Sequence, residues 1–206
     1  MEKIIASADT HLFKALPESF RHYNQHVVLV ANHARYTARA VFKFLVDVGN
    51  IVGAKLRLHY QMWGINDPVG KEVALYVLPS DWIESEASWN NKSEGIPWTT
   101  PGGDIGTLID YVPIPEKADN YGYADAWMEW DVTNFTVPVF SVMVKFDTEY
   151  DGYIYGKTTE INFSSHEGRP EWQPHLLIET GEKQELTIPL DEFSSMVKEG
   201  DVLVIT

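Results

Sequence analysis

Three residue classes in this sequence carry the means to act on a ligand or to hold one: acidic pairs, histidines and tryptophans. Glu84 and Glu86 stand two apart. A glycosidase needs two carboxylates about 5–9 Å apart across a cleft, but with 30 Asp and Glu in the chain this spacing says little, and solvated acids are the expectation. Asp9, Asp81, Asp104 and Asp131 fall near turns and strand ends. Calcium collects several oxygen ligands, which makes Asp9 and Asp104 the candidate ligands of a structural calcium. No Asp-x-Asp-x-Asp-Gly loop supports them, and turn capping is the plainer role. Seven histidines (His11, His22, His26, His33, His59, His166 and His175) never reach a His-Glu-x-x-His spacing. The absence of cysteine removes disulfides, thiolate metal sites and cysteine nucleophiles together. No Gly-x-Ser-x-Gly elbow and no phosphate-cradling glycine loop is present. With no catalytic constellation, the expectation is a protein that is not an enzyme and needs no cofactor beyond that calcium.

The aromatic residues carry more. Trp63, Trp98, Trp127 and Trp172 lie near turns or strand ends, where an exposed indole could stack on the apolar face of a sugar. Trp82 and Trp89 are instead expected as core or loop anchors. Arg57 joins the candidate ligand-binding residues. With Arg35, Arg39, Lys43 and Lys55 it could gather on one face of adjacent strands, suiting an acidic polysaccharide. Solvent-side alternation with acidic partners across the strands is the plainer account.

The elements that must position these residues have period two. In residues 54–60, Ala54, Leu56, Leu58 and Tyr60 fall on one face and Lys55, Arg57 and His59 on the other. Similar runs occupy 26–31, 38–45, 72–78, 107–112, 126–132, 138–146, 159–164, 175–180, 185–190 and 202–206, with turn residues between them. The stretches 12–25 and 84–106 read as ordered loops. The one helical pattern is 191–198, capped by Asp191. About ten short strands imply an all-β fold, a jelly-roll-type antiparallel β-sandwich over 1–180, followed by a short C-terminal strand/helix extension over 181–206. That extension is too small to bury its own core. It is expected to pack on the sandwich or to add strands to a neighbouring subunit, another protein or a second copy, through Glu185, Leu186, Ile188, Val202 and Val204.

Bulk properties narrow the partners. The chain has 206 residues, 44% of them hydrophobic and 13% aromatic, enough for a packed core. A net charge of −14 argues against nucleic acid, whose binders present a basic face. No apolar run is long enough for a membrane helix, and Met1–Ala6 does not begin a signal peptide.

The order of several segments resembles the DNRLRE-domain family of carbohydrate-binding-module-like β-sandwiches. The resemblance covers about residues 5–180. It rests on Ala8-Asp-Thr10, on Arg39-Ala-Val-Phe-Lys-Phe44, and above all on the block Asp81-Trp-Ile-Glu-Ser-Glu-Ala-Ser-Trp-Asn-Asn91 followed by Pro97-Trp98-Thr-Thr-Pro-Gly-Gly-Asp104. Trp130-Asp-Val-Thr133 and Ile161-Asn-Phe-Ser-Ser165 continue it. The family's late Arg is displaced here, in Ser164-Ser-His-Glu-Gly-Arg169. The resemblance implies a jelly roll with a binding or scaffolding role. Two functions follow as expectations. One is a structural or adhesion component of a virion (phage decoration, tail or fibre protein) or of an extracellular surface assembly, with other subunits as partners. The alternative is a carbohydrate-binding module of a secreted polysaccharide-handling protein.

Overall fold

The computed structural model describes residues 1–20, 22, 25–116 and 123–181, the side chains of 62, 63 and 123–125 excepted. Among them the period-two pattern yields strands and no α-helix. In chain order these are β1 (Glu2–Ile5), β2 (Ala8–Phe13), β3 (Val27–Ala31), β4 (Ala38–Leu45), β5 (Ile51–Trp63), β6 (Glu72–Val77), β7 (Asn91–Ser93), β8 (Ile96–Pro97), β9 (Leu108–Pro113), β10 (Tyr123–Asp131), β11 (Val139–Phe146), β12 (Glu160–Ser164) and β13 (His175–Thr180). Two short 3-10 turns, η1 (Ala34–Tyr36) and η2 (Pro170–Trp172), interrupt them. The expected jelly-roll-type antiparallel sandwich is the fold. The expected extension, with its helix over 191–198 and its assembly residues Glu185, Leu186, Ile188, Val202 and Val204, lies outside the described residues.

The long strand β5 organises the first layer, here called sheet I. One edge of β5 takes β10 from Lys55 to Met62. The other takes β13 along Ile51–Arg57 and then β12 at its far end. β1 pairs with β13, so the first strand closes against the last described one, and β3 extends the sheet beyond β12. The second layer, sheet II, runs β2-β4-β11-β6-β9. The layers join at a corner where Ala31 of β3 meets Ala38 of β4.

Alternation fills the space between the sheets. Ala54, Leu56, Leu58 and Tyr60 turn inward from β5 as the sequence implied, opposite Phe42 and Phe44 of β4 and Phe140 of β11, and all are buried. Each buried aromatic or leucine contributes about 1.5–3 kcal/mol relative to exposure. His59, expected on the solvent side of β5, is only 1% exposed. It is covered by indoles, as described below.

A second, smaller core lies on the outer face of sheet II. Val41 of β4, Met143 of β11 and Leu12 of β2 form its floor, and Trp82, Trp89 and Trp98 of the 79–106 segment form its roof. That segment carries the β7–β8 hairpin and closes at Gly102 and Gly103, both with positive φ. At Gly103 (φ +99°) a Cβ would stand 2.2 Å from the Met143 Cε atom. Gly103→Ala is therefore expected to cost about 2 kcal/mol or more, from left-handed strain and displacement of a core side chain together. Urea unfolding of the variant beside the parent checks this.

Candidate functional site

The outer face of sheet I carries the protein's main aromatic ladder. β5 presents Arg57, His59 and Gln61 on this face, β10 presents Trp127 and β13 presents His175. The cross-strand register sets Trp127 opposite His59 and His175 opposite Arg57. After β12 the chain turns back, and η2, begun by Pro170, delivers Trp172 over the strands. Its indole stacks on His59 with ring centroids 4.6 Å apart and planes within 5°. Trp127 meets His59 edge-on at 5.1 Å and His175 at 4.9 Å. The Arg57 guanidinium lies 4.7 Å above the Trp127 ring, and Arg169 lies 4.4 Å above that of Trp172.

The polar groups beneath this ladder are held in place. Arg57 Nε is 2.7 Å from Glu129 Oε1, and Lys55 approaches the other oxygen, Oε2, at 3.7 Å. Gln61 Nε2 donates to Ser164 Oγ at 2.8 Å, and His175 Nδ1 donates to the Gln173 carbonyl at 2.8 Å. Burial lowers the pKa of His175. Beside Trp172 a groove of about 490 Å³ opens between His26, Gln61, Glu167 and Arg169. Its donors, acceptors and ring surfaces match those of a hydroxyl-rich ligand with apolar faces. A second hollow of about 290 Å³, beside Asn32, Lys71 and Asp147, has polar walls and no indole.

The candidate ligand-binding residues are thus partly gathered. Trp127, Trp172 and Arg57 share this one face. Trp98 does not: it is 4% exposed in the second core, and its Nε1 donates to the Ser88 carbonyl at 2.9 Å. The backbone of Trp63 pairs with Ile161 at the end of β5, and its side chain lies outside the described residues. The basic residues do not form one stripe. Arg39 and Lys43 rise from sheet II to Trp89 and Trp82, each with an acidic partner, whereas Lys55 and Arg57 lie on the opposite face of the sandwich with Glu129.

The two metal candidates also separate. Asp104 caps its own loop, its oxygens accepting from Ser80 Oγ at 2.6 Å and from the Thr100 N–H at 3.1 Å. Burial alone would raise its pKa, but these hydrogen bonds outweigh burial and hold it below the ordinary carboxylate value. Asp9 is only 1% exposed and stands at the sandwich edge beside Glu84, His166 and Glu167. Burial pushes the Asp9 carboxyl upward, against the pull of His166. The Asp9 carboxylate, with Glu84 and Glu167 in support, raises the His166 imidazole to about 9. Glu86 instead accepts the Glu94 N–H, so it and Glu84 turn to different partners.

Sequence reasoning missed His59, His166, Glu167, Arg169 and His175 as site residues. None carries a local signal, because their partners come from distant strands. No family model matches this chain, and a search of curated proteins gives no match.

Proposed function

We propose that this protein is a non-catalytic binding module whose sheet I face grips a polysaccharide chain, as the adhesive part of a virion or extracellular surface assembly. The observation that carries the reading is the Trp172–His59–Trp127 ladder, whose Trp172 lines the groove with Gln61, Arg169 and Glu167. A sugar ring presents C–H faces suited to an indole and hydroxyls suited to an amide, a guanidinium and a carboxylate. Arg169 is an exposed residue, so a ring stacking on Trp172 displaces a surface side chain and not a packed one. The test is a glycan array followed by calorimetry on the best ligand. Trp172→Ala and Trp127→Ala are each expected to weaken binding about tenfold or more, equivalent to about 1.4 kcal/mol of lost contact. Absence of any bound glycan, or a Trp172→Ala variant that binds as the parent does, overturns the reading.

A purely structural role is the second reading. It draws on Leu45, Val137 and Val139, each more than half exposed, with Val139 paired to Leu45. An apolar strip of this kind suits contact with another subunit. Mass photometry of the full chain without glycan distinguishes the two: a defined oligomer favours the structural role, and a monomer that binds glycan favours the module.

A further inference from the structure

We propose that Asp9, Glu84 and His166 form a binding site for a divalent first-row transition metal ion, with Glu167 steadying the imidazole from behind. The three ligands come from separate parts of the chain: Asp9 from β2, Glu84 from the turn that opens the 79–106 segment, and His166 from the turn after β12. One donor atom from each of the four residues can be chosen so that all lie within 4.8 Å of one another.

The distances are those of shared ligation. His166 Nδ1 lies 3.2 Å from Asp9 Oδ2 and 3.4 Å from Glu84 Oε1. Two donors each about 2.1 Å from one ion stand about 3–3.5 Å apart. Nδ1 has no hydrogen-bond partner despite these distances. Asp9 supplies the independent observation. Its side chain is 1% exposed, yet its Oδ1 has no hydrogen-bond partner among the described residues. Glu167 Oε2 is likewise buried and unpartnered. Three orphaned polar atoms in one cluster are costly unless something satisfies them.

The supporting shell is already built. Asp9 Oδ2 accepts the His166 N–H at 2.6 Å, and Glu84 Oε1 accepts the Asp9 N–H at 2.7 Å, so backbone groups orient both carboxylates. Glu167 Oε1 stands 3.2 Å from His166 Nε2. With the Nε2 proton facing Glu167, an ion that displaces the Nδ1 proton would sit between Nδ1 and the Asp9 and Glu84 carboxylates, the carboxylate–histidine–metal arrangement.

The donor set decides the ion. Calcium takes six to eight oxygen ligands, whereas an imidazole among carboxylates suits zinc, cobalt, nickel or manganese. The structural calcium expected at Asp9 with Asp104 is thus replaced by a different ion with different partners. Such an ion would tie β2 and the roof of the second core to the turn that leads into η2. Glu167 also borders the groove beside Trp172, so the site sits directly behind that wall.

The test uses the full chain, stripped by chelator and titrated with Zn2+, Co2+ and Ca2+ in calorimetry. Thermal unfolding and the Co2+ absorption spectrum provide further readouts. One equivalent of Zn2+ or Co2+ is expected to bind, with a midpoint that rises with metal concentration and a Co2+ spectrum showing nitrogen–oxygen ligation. Glu84→Gln and His166→Ala are expected to abolish that stoichiometric binding. Glu167→Gln is expected to weaken it about tenfold to a hundredfold. Glu84 is partly exposed, so its variant is expected to fold even if a change at Asp9 does not. Failure to bind Zn2+ or Co2+, preference for Ca2+, or unchanged binding in Glu84→Gln and His166→Ala overturns the proposal. None of these readouts involves glycan, so the site and the groove stand or fall separately.

Discussion

Trp98→Ala is expected to lower stability by about 3–5 kcal/mol, the cost of removing a large side chain from a site that cannot collapse. Packed side chains and backbone hydrogen bonds enclose the site. Trp98 packs with Trp82 and Trp89 over Val41 and Met143, side chains of two neighbouring strands in sheet II. Its backbone N–H donates to the Asn90 carbonyl at 3.0 Å, while the indole N–H holds the Ser88 carbonyl. Trp98→Phe separates the two contributions. It keeps much of the apolar area but leaves the Ser88 carbonyl without its donor, at a cost of about 1–3 kcal/mol. Urea unfolding of both variants checks the order. If Trp98→Ala falls within about 1 kcal/mol of the parent, the 79–106 segment is not held by a second core.

The strands that sequence located well are those whose side chains alternate in type, even where both faces are covered, as in β4. β4 and β13 carry the residues expected of them, and β5 differs only by running longer at both ends. β2 escaped notice because its buried residues are mostly polar: Ala8 to Leu12 are all buried, with Asp9, Thr10 and His11 in succession among them. Three polar residues in a row give no apolar alternation, so the pattern suggested no strand there. β1 is four residues long and takes its place only from β13, at the other end of the described chain.

The same limit applied to the candidate site. Trp127, Trp172 and Arg57 were recognisable one by one, since position near turns is local information. Their meeting depends on the β5–β10 register and on a turn that folds η2 back over the sheet. His59 was read as solvent-facing because alternation cannot foresee a third layer, and here two indoles supply it. Trp98 shows the reverse case: proximity to a turn suggested exposure, but the turn belongs to a segment that folds down onto sheet II. Asp9 was visible as a metal candidate, while its partners are 75 or more residues away in sequence.

Glu149→Ala tests the ionic fastening at the other side of the second core and is expected to cost about 3 kcal/mol. Arg39 rises from β4 and grips Glu149 with two parallel bonds, Nε to Oε1 and Nη2 to Oε2, both 2.8 Å. Its third nitrogen, Nη1, donates to the Gly102 carbonyl at 2.9 Å, and its plane lies 5.0 Å from the Trp89 ring. The pair is largely but not wholly shielded, at 11% and 22% side-chain exposure. Losing the carboxylate therefore costs toward the low end of the range for breaking a buried pair, about 3–5 kcal/mol. Lys145 adds to the loss. Burial lowers its pKa and Glu149 opposes that lowering, so the variant leaves two shielded cations without this counter-charge. The double variant Arg39→Met with Glu149→Ala removes one of those cations. It is expected to be less destabilised than the sum of the single variants, with a coupling of about 1–3 kcal/mol in a double-mutant cycle. Simple additivity would mean that Arg39 is held by Gly102 and Trp89 alone and that the acid is only a surface neighbour.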